Sequence, residues 1–303
     1  MNLGWQSLLL SLTLLASAAL LETARASDRV QASAPASEGL HAIRDSQAAS
    51  LERRQETPTE PIPTLAETEA AVPPALLYPD LRTMPPADLH FALHQVEGRV
   101  HFILRFSNFT WNAGEGPLEL LEASQVNTDV SQVIFDEGGG WVQRPSGTFI
   151  FHPTHQHWHF EDFSRYQVWG LAEYYAWLDS GRTEGQPFWE VSKSSSCLMD
   201  GWMALALPGT PPRQTYPERC AREIQGISVG WGDVYYWFLP EQWVDVGETP
   251  PPDGIYILRS VVDPFNRIFE SPDGLDPARD GDEANEAVVP FYVQGGYIVP
   301  LPE

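Results

Sequence analysis

The chain has 303 residues, enough for one large domain or two small ones, and at 43% hydrophobic content it can bury a sizeable core. Forty-one acidic against 18 basic residues leave a net charge of −23, which excludes nucleic acid as a partner and favours amines or basic polypeptides. Eleven Trp and 27 Pro speak for strands and irregular loops rather than a helical bundle.

In chain order, residues 1–26 read as an export signal. The apolar run from Leu8 to Leu21 is short for a membrane span, and Ala24-Arg25-Ala26 before Ser27 fits a cleavage site. An uncleaved anchor is the alternative, because no basic residue precedes the run. The expected location is secreted or periplasmic, with no stable membrane insertion once the signal is cleaved. Residues 27–74 are rich in Ala, Ser, Glu and Pro and lack aromatic residues. Such a composition buries too little surface to offset ordering entropy, so a disordered segment is expected there.

From residue 75 to 303 the pattern is that of a single folded domain. Val100 to Phe106, Thr148 to Phe151, Gly254 to Leu258 and Ala287 to Val293 are β-rich runs. Gly- and Pro-rich loops lie between them, among them Pro208 to Pro217, and amphipathic helix is hard to find. The expected class is all-β, a β-sandwich core with long functional loops and little helix. Cys197 and Cys220, the two cysteines of the chain, suit a disulfide in an exported protein.

Four of the eight histidines fall in His152-Pro153-Thr154-His155-Gln156-His157-Trp158-His159. On a strand, alternate side chains share a face, so His155, His157 and His159 would point the same way and could converge on one ion. Ordinary cores do not place three imidazoles side by side, since each needs hydrogen-bond partners. His152 has no fixed place in that alternation and suits a supporting role. Three imidazoles with an open position suit Zn(II) hydrolysis or Cu(II) redox chemistry and do not decide between them, although Cu(II) binds such sites more tightly. A zinc hydrolase would want a nearby base, for which Glu161 or Asp162 could serve.

Of the 18 basic residues one alone is lysine, Lys193, and the other 17 are Arg. An amine can deprotonate and attack a carbonyl carbon, which a guanidinium cannot do.

These motifs, in this order, resemble the lysyl oxidase family over about residues 78–293. The histidine motif is followed by Phe163-Ser164-Arg165-Tyr166. Next come Lys193 four residues before Cys197-Leu198-Met199-Asp200, and Cys220 before Gln225-Gly226-Ile227-Ser228-Val229-Gly230. Asp233-Val234-Tyr235, Gln242-Trp243-Val244-Asp245 and Asp253-Gly254-Ile255-Tyr256-Ile257-Leu258 complete the series. The resemblance implies copper at His155, His157 and His159. It also implies a lysine tyrosylquinone made from Lys193 and Tyr235, with Tyr236 next in line, and Asp233 as candidate base. The implied reaction turns a primary amine, or a lysine-bearing polypeptide, into an aldehyde with O2, releasing ammonia and hydrogen peroxide. A non-catalytic metal-binding or adhesion module on the same fold is the alternative, and it would leave Lys193 and Tyr235 without a purpose. Animal members carry further cysteines, one of them at the position of Thr154, so Cys197 and Cys220 are expected to pair with each other. A calcium site is implied at Asp80, Leu81, Glu270, Asp282 and Asn285, interrupted here by an insertion from Ser271 to Gly281, with Glu286 where a second Asn would stand.

Overall fold

The computed structural model describes residues 74–270, 285–299 and 301, all within one compact unit, Val72–Glu303. The expected signal and the Ala/Pro-rich segment up to residue 73 lie outside the described residues, as does Asp282. The fold is all-β, built from two antiparallel sheets.

Ten strands form the larger sheet. They are β1 (Leu76–Leu77), β5 (Leu118–Glu122), β6 (Asp129–Asp136), β7 (Trp141–His152), β8 (His157–Gly170), β9 (Trp189–Ser196), β11 (Ile224–Ile227), β14 (Gly254–Val262), β15 (Glu286–Gln294) and β16 (Tyr297–Val299). The order is β11-β5-β6-β7-β8-β14-β15-β16, with β1 on β6 and β9 on β8. The smaller sheet holds β2 (Leu81–Thr83), β3 (Ala87–Val96), β4 (Arg99–Asn112), β10 (Trp202–Met203), β12 (Trp231–Tyr235) and β13 (Trp243–Gly247). Its order is β10-β12-β4-β13, with β2 and β3 also on β4.

Two 14-residue strands, β4 and β8, organise the sheets because each is long enough to serve different partners along its length. On β8, His157 to Phe160 pair with β7 and Ser164 to Gly170 with β14, while β9 runs beside Phe160 to Val168. Beyond Phe160, toward the histidines, the β9 side of the strand is therefore open to other segments.

The sheets meet face to face. Leu104 and Phe106 of β4 and Val244 and Val246 of β13 pack against Tyr166 and Val168 of β8, Leu258 of β14 and Phe291 and Val293 of β15. Each such side chain stabilises the fold by about 1.5–3 kcal/mol on burial. A second cluster, with Leu118, Leu120, Val130, Phe149, Phe160, Phe163, Leu198 and Ile227, lies beneath the histidine hairpin.

All four β-rich runs read from the sequence lie inside strands β4, β7, β14 and β15. The sequence did not disclose the helix α1 (Leu171–Asp179), which buries Tyr174 and Trp177 against Trp169 and Ile257. Two buried positions in nine residues make too faint a helical period to detect.

Candidate metal centre and tyrosine site

The histidines sit on the hairpin of β7 and β8, and their placement corrects the expectation of a single strand. His157 and His159 are on β8, but His155 lies in the four-residue turn that joins the strands. Pro153 presets a turn backbone, Gln156 adopts a left-handed φ of 59°, and its N–H donates to the His152 carbonyl at 2.8 Å. The alternation of histidines thus imitates a strand that the proline interrupts. His155 nonetheless folds back over the same face as the others. Its ring centroid is 5.1 Å from that of His159 and 5.5 Å from that of His157, and His157 and His159 are 4.7 Å apart.

The hairpin has two chemically distinct faces. Phe149, Phe160 and Trp158 point into the core below, and His157 and His159 point away from it. One ligand nitrogen from each of His155, His157 and His159 can be chosen so that all lie within 4.8 Å of one another. Bonds of about 2.0–2.1 Å to zinc or copper would draw them together by less than about 1 Å, so the residues present fit such an ion. Burial lowers the His157 pKa, its largest cause, which favours the neutral, ligating imidazole. Among the described residues this is the one group of His, Cys, Asp or Glu side chains able to hold a metal.

His152 closes the array. It is the cross-strand partner of His157, its ring stacks at 4.9 Å on His159, and its Nε2 meets the Glu241 carboxylate at 2.7 Å. Glu161 and Asp162, the candidate hydrolytic bases, are engaged elsewhere. Glu161 accepts the Thr148 hydroxyl, and Asp162 pairs with Arg267 at 3.0 Å.

The open side of β8 is held by residues whose individual roles the sequence did not reveal. The Trp158 N–H, between two of the histidines, donates to the Cys220 carbonyl at 3.0 Å. The Trp158 carbonyl accepts from Gln225 Nε2 at 2.9 Å, while Gln225 Oε1 takes the Leu198 N–H at 3.0 Å. Gln225 is buried and so brackets the histidine-bearing strand β8 to the segment after Cys197. A disulfide from Cys197 to Cys220 joins the Cys197 segment to the one that leads into Gln225, as expected. The rest of the Gln-Gly-Ile-Ser stretch is equally constrained. A Cβ at Gly226 would lie 2.3 Å from the Leu118 carbonyl oxygen, so only glycine fits. Ser228 binds Asp200 through both its N–H and its hydroxyl, and Asp200 also accepts the N–H groups of Thr215 and Tyr216.

Tyr235 and Asp233 alternate on β12 and share a face. The Tyr235 hydroxyl donates to the Cys197 carbonyl at 2.7 Å. Burial, then the negative charge of Asp233, raise its pKa well above 10 and keep the phenol neutral. Asp233 is buried, and neighbouring Tyr166 is pushed up to about 12, chiefly by burial. Tyr236 points the other way, is 37% exposed, and stacks on Phe238. Lys193 lies in β9 with its backbone opposite Ser164, three residues before Ser196, which pairs with Phe160 next to His159. The lysine segment and the histidine-bearing strand are therefore neighbours, and the tyrosine hydroxyl meets the same segment four residues further on.

The profile of the lysyl oxidase family matches residues 141–273, from the start of β7 to just past Glu270. Over that stretch the chain is similar to the lysyl oxidase family. It is 32% identical over 129 residues to human lysyl oxidase homolog 1, covering 42% of this chain and 19% of that protein. To pig protein-lysine 6-oxidase it is 30% identical over 131 residues, covering 42% of this chain and 44% of that protein. To chicken lysyl oxidase homolog 2 it is 27% identical over 164 residues, covering 50% of this chain and 19% of that protein. The matched stretch thus spans less than half of each of these relatives. The matched region contains the histidine hairpin, Lys193, the disulfide, Gln225 and Tyr235.

Four residues of the implied calcium site also come together. Glu270 accepts the Leu81 N–H through Oε2 and the Asn285 side-chain amide through Oε1 at 2.9 Å. Asp80 adjoins Leu81, with its carboxylate on Arg82 at 2.7 Å. Burial, then the charges of Asp263 and Asp80, lift the Glu270 pKa to about 8, against the pull of its hydrogen bonds. Glu286 takes no part, being bound by Arg182 and Arg259. Among the described residues no helix is long and apolar enough to cross a membrane.

Proposed function

We propose that this chain is a copper-dependent amine oxidase of the protein-lysine 6-oxidase type, acting outside the cytoplasm. The single observation that carries this reading is the convergence of three imidazoles on a hairpin bound, through Cys220 and Gln225, to the segment that receives the Tyr235 hydroxyl. The net reaction converts R–CH2–NH2, O2 and water into R–CHO, ammonia and hydrogen peroxide. Two electrons pass from the amine carbon to O2.

His155, His157 and His159 would hold the copper, and Lys193 and Tyr235 would provide the lysine tyrosylquinone. Copper would supply redox chemistry toward O2 and the tyrosine ring, and the quinone an electrophilic carbon for the substrate amine. The remaining roles fall to side chains of this protein. Asp233, buried two residues before Tyr235, serves in this reading as the base that takes the proton leaving the amine α-carbon. His152, held by Glu241, buttresses the ring of His159. The neutral Tyr235 phenol is anchored by the Cys197 carbonyl before it is modified. Calcium at Asp80, Leu81, Glu270, Asp282 and Asn285 would tie the start of the domain to its C-terminal strands.

Quinone staining and visible absorption of copper-loaded protein test the reading, run beside Lys193→Arg and Tyr235→Phe. The native protein should stain and both variants should be blank. Staining that persists in either variant, or a blank native protein with copper bound, would refute it.

A further inference from the structure

Between β12 and β13 the chain makes a turn whose two ends touch the two halves of the site. Tyr235, at the start, meets the Cys197 carbonyl, and Glu241, at the end, meets His152 beside the metal-binding rings. The stretch between them carries three successive aromatic residues open to solvent, Tyr236 at 37%, Trp237 at 39% and Phe238 at 58% exposure. Tyr236 and Phe238 stand nearly parallel, with an interplanar angle of 7° and centroids 5.2 Å apart.

This turn is rigid by construction. Arg105 donates to the Trp237 and Leu239 carbonyls, the Trp237 N–H donates to Ser107 Oγ at 3.1 Å, and the Trp237 ring packs edge-on against His90 at 4.7 Å. The backbone contacts therefore hold the aromatic residues at the surface, where water solvates their rings poorly. Arg105, a cation touching the turn, is committed to backbone carbonyls.

We propose that Tyr236, Trp237 and Phe238 form the docking surface for a basic, lysine-bearing polypeptide, whose ε-ammonium groups lie over the aromatic faces as the chain approaches Tyr235. Two features select this partner. Aromatic faces attract ammonium ions, and half-exposed Glu241 adds a carboxylate within a chain of net charge −23. An open aromatic strip also suits a polypeptide better than a small amine, because small-molecule sites enclose most of their ligand. The role in turnover rests on the oxidase reading, whereas docking itself does not.

The test is the double variant Tyr236→Ser/Phe238→Ser, which spares Trp237 and its supporting contacts. A fluorescein-labelled Gly/Ser peptide carrying several lysines, and its fully acetylated counterpart, are titrated against metal-free protein by anisotropy. The native protein should bind the lysine peptide in preference to the acetylated one, and the double variant should bind it about tenfold more weakly. Equal binding of both peptides, or equal affinity of both proteins for the lysine peptide, would overturn the proposal. With copper-loaded protein, the ratio of kcat/KM for the peptide to that for n-butylamine should fall about tenfold in the variant, and an unchanged ratio would count against the proposal. A native protein with no turnover would defeat the oxidase reading, while the anisotropy result would still decide the docking surface.

Discussion

Replacing Glu270 by Gln should remove most of one pH dependence from the stability of the cation-free protein. Glu270 is enclosed beside Leu81 and Asn285, and its carboxyl titrates at about 8 instead of its ordinary 4.5. Because the folded state holds this proton more tightly than the unfolded chain, the stabilisation is fully present below about pH 4.5. It is lost as pH rises through about 8. At about 1.4 kcal/mol per pH unit, the loss between pH 5 and pH 8 is about 3–4 kcal/mol. Glutamine keeps the shape and one acceptor but has no proton to lose. Urea unfolding of both proteins in chelator, at about pH 5 and about pH 8, measures the difference directly. The native protein should lose about 3 kcal/mol more than the variant over that interval, and millimolar calcium should restore much of the loss at the higher pH by stabilising the ionised carboxylate. A difference below about 1 kcal/mol would show that the Glu270 carboxyl is not enclosed as described.

Two further outcomes concern the supports of the metal strand. Removing the disulfide with Cys197→Ala/Cys220→Ala, at a sequence separation of 23, should cost about 3 kcal/mol and lower Tm by about 10 °C in a thermal scan. A shift under about 2 °C would contradict the assigned role. Gln225→Ala would leave the Trp158 carbonyl and the Leu198 N–H buried without their partner, at a cost of about 2–4 kcal/mol by urea unfolding. Because Trp158 lies between His157 and His159, two of the proposed ligands, the same change should weaken zinc or copper binding by at least about tenfold in calorimetry. Unaltered affinity would show that the bracket does not position the histidines.

The parts of the fold legible in the sequence are those whose signal is local. Val100 to Phe106 and Ala287 to Val293 are runs of β-branched and aromatic residues, and both lie within long strands. The short strands β11, β12 and β13 carry little pattern of their own, because they form by pairing with β5 and β4 far away in the chain. The alternating histidines were legible as a group that could hold a metal, whereas their hairpin was not. A period of two is common to a strand and to a strand that a proline turn has broken. Gln225 and Glu241 were invisible as functional supports, since their partners Trp158 and His152 are 67 and 89 positions away.

Residue chemistry and its order along the chain were available without coordinates. They include an amine that occurs once, imidazoles at alternate positions, two cysteines in a folded region and a tyrosine following a carboxylate. Such features sit within windows of a few residues, where side-chain type and spacing suffice to define them. Tertiary structure decided which of these groups meet. It brought His155 back over β8, seated the Tyr235 hydroxyl on the Cys197 carbonyl, enclosed Glu270 and turned Tyr236 outward. Each outcome depends on the register between strands distant in sequence, and a shift of one residue there would exchange the buried and exposed faces.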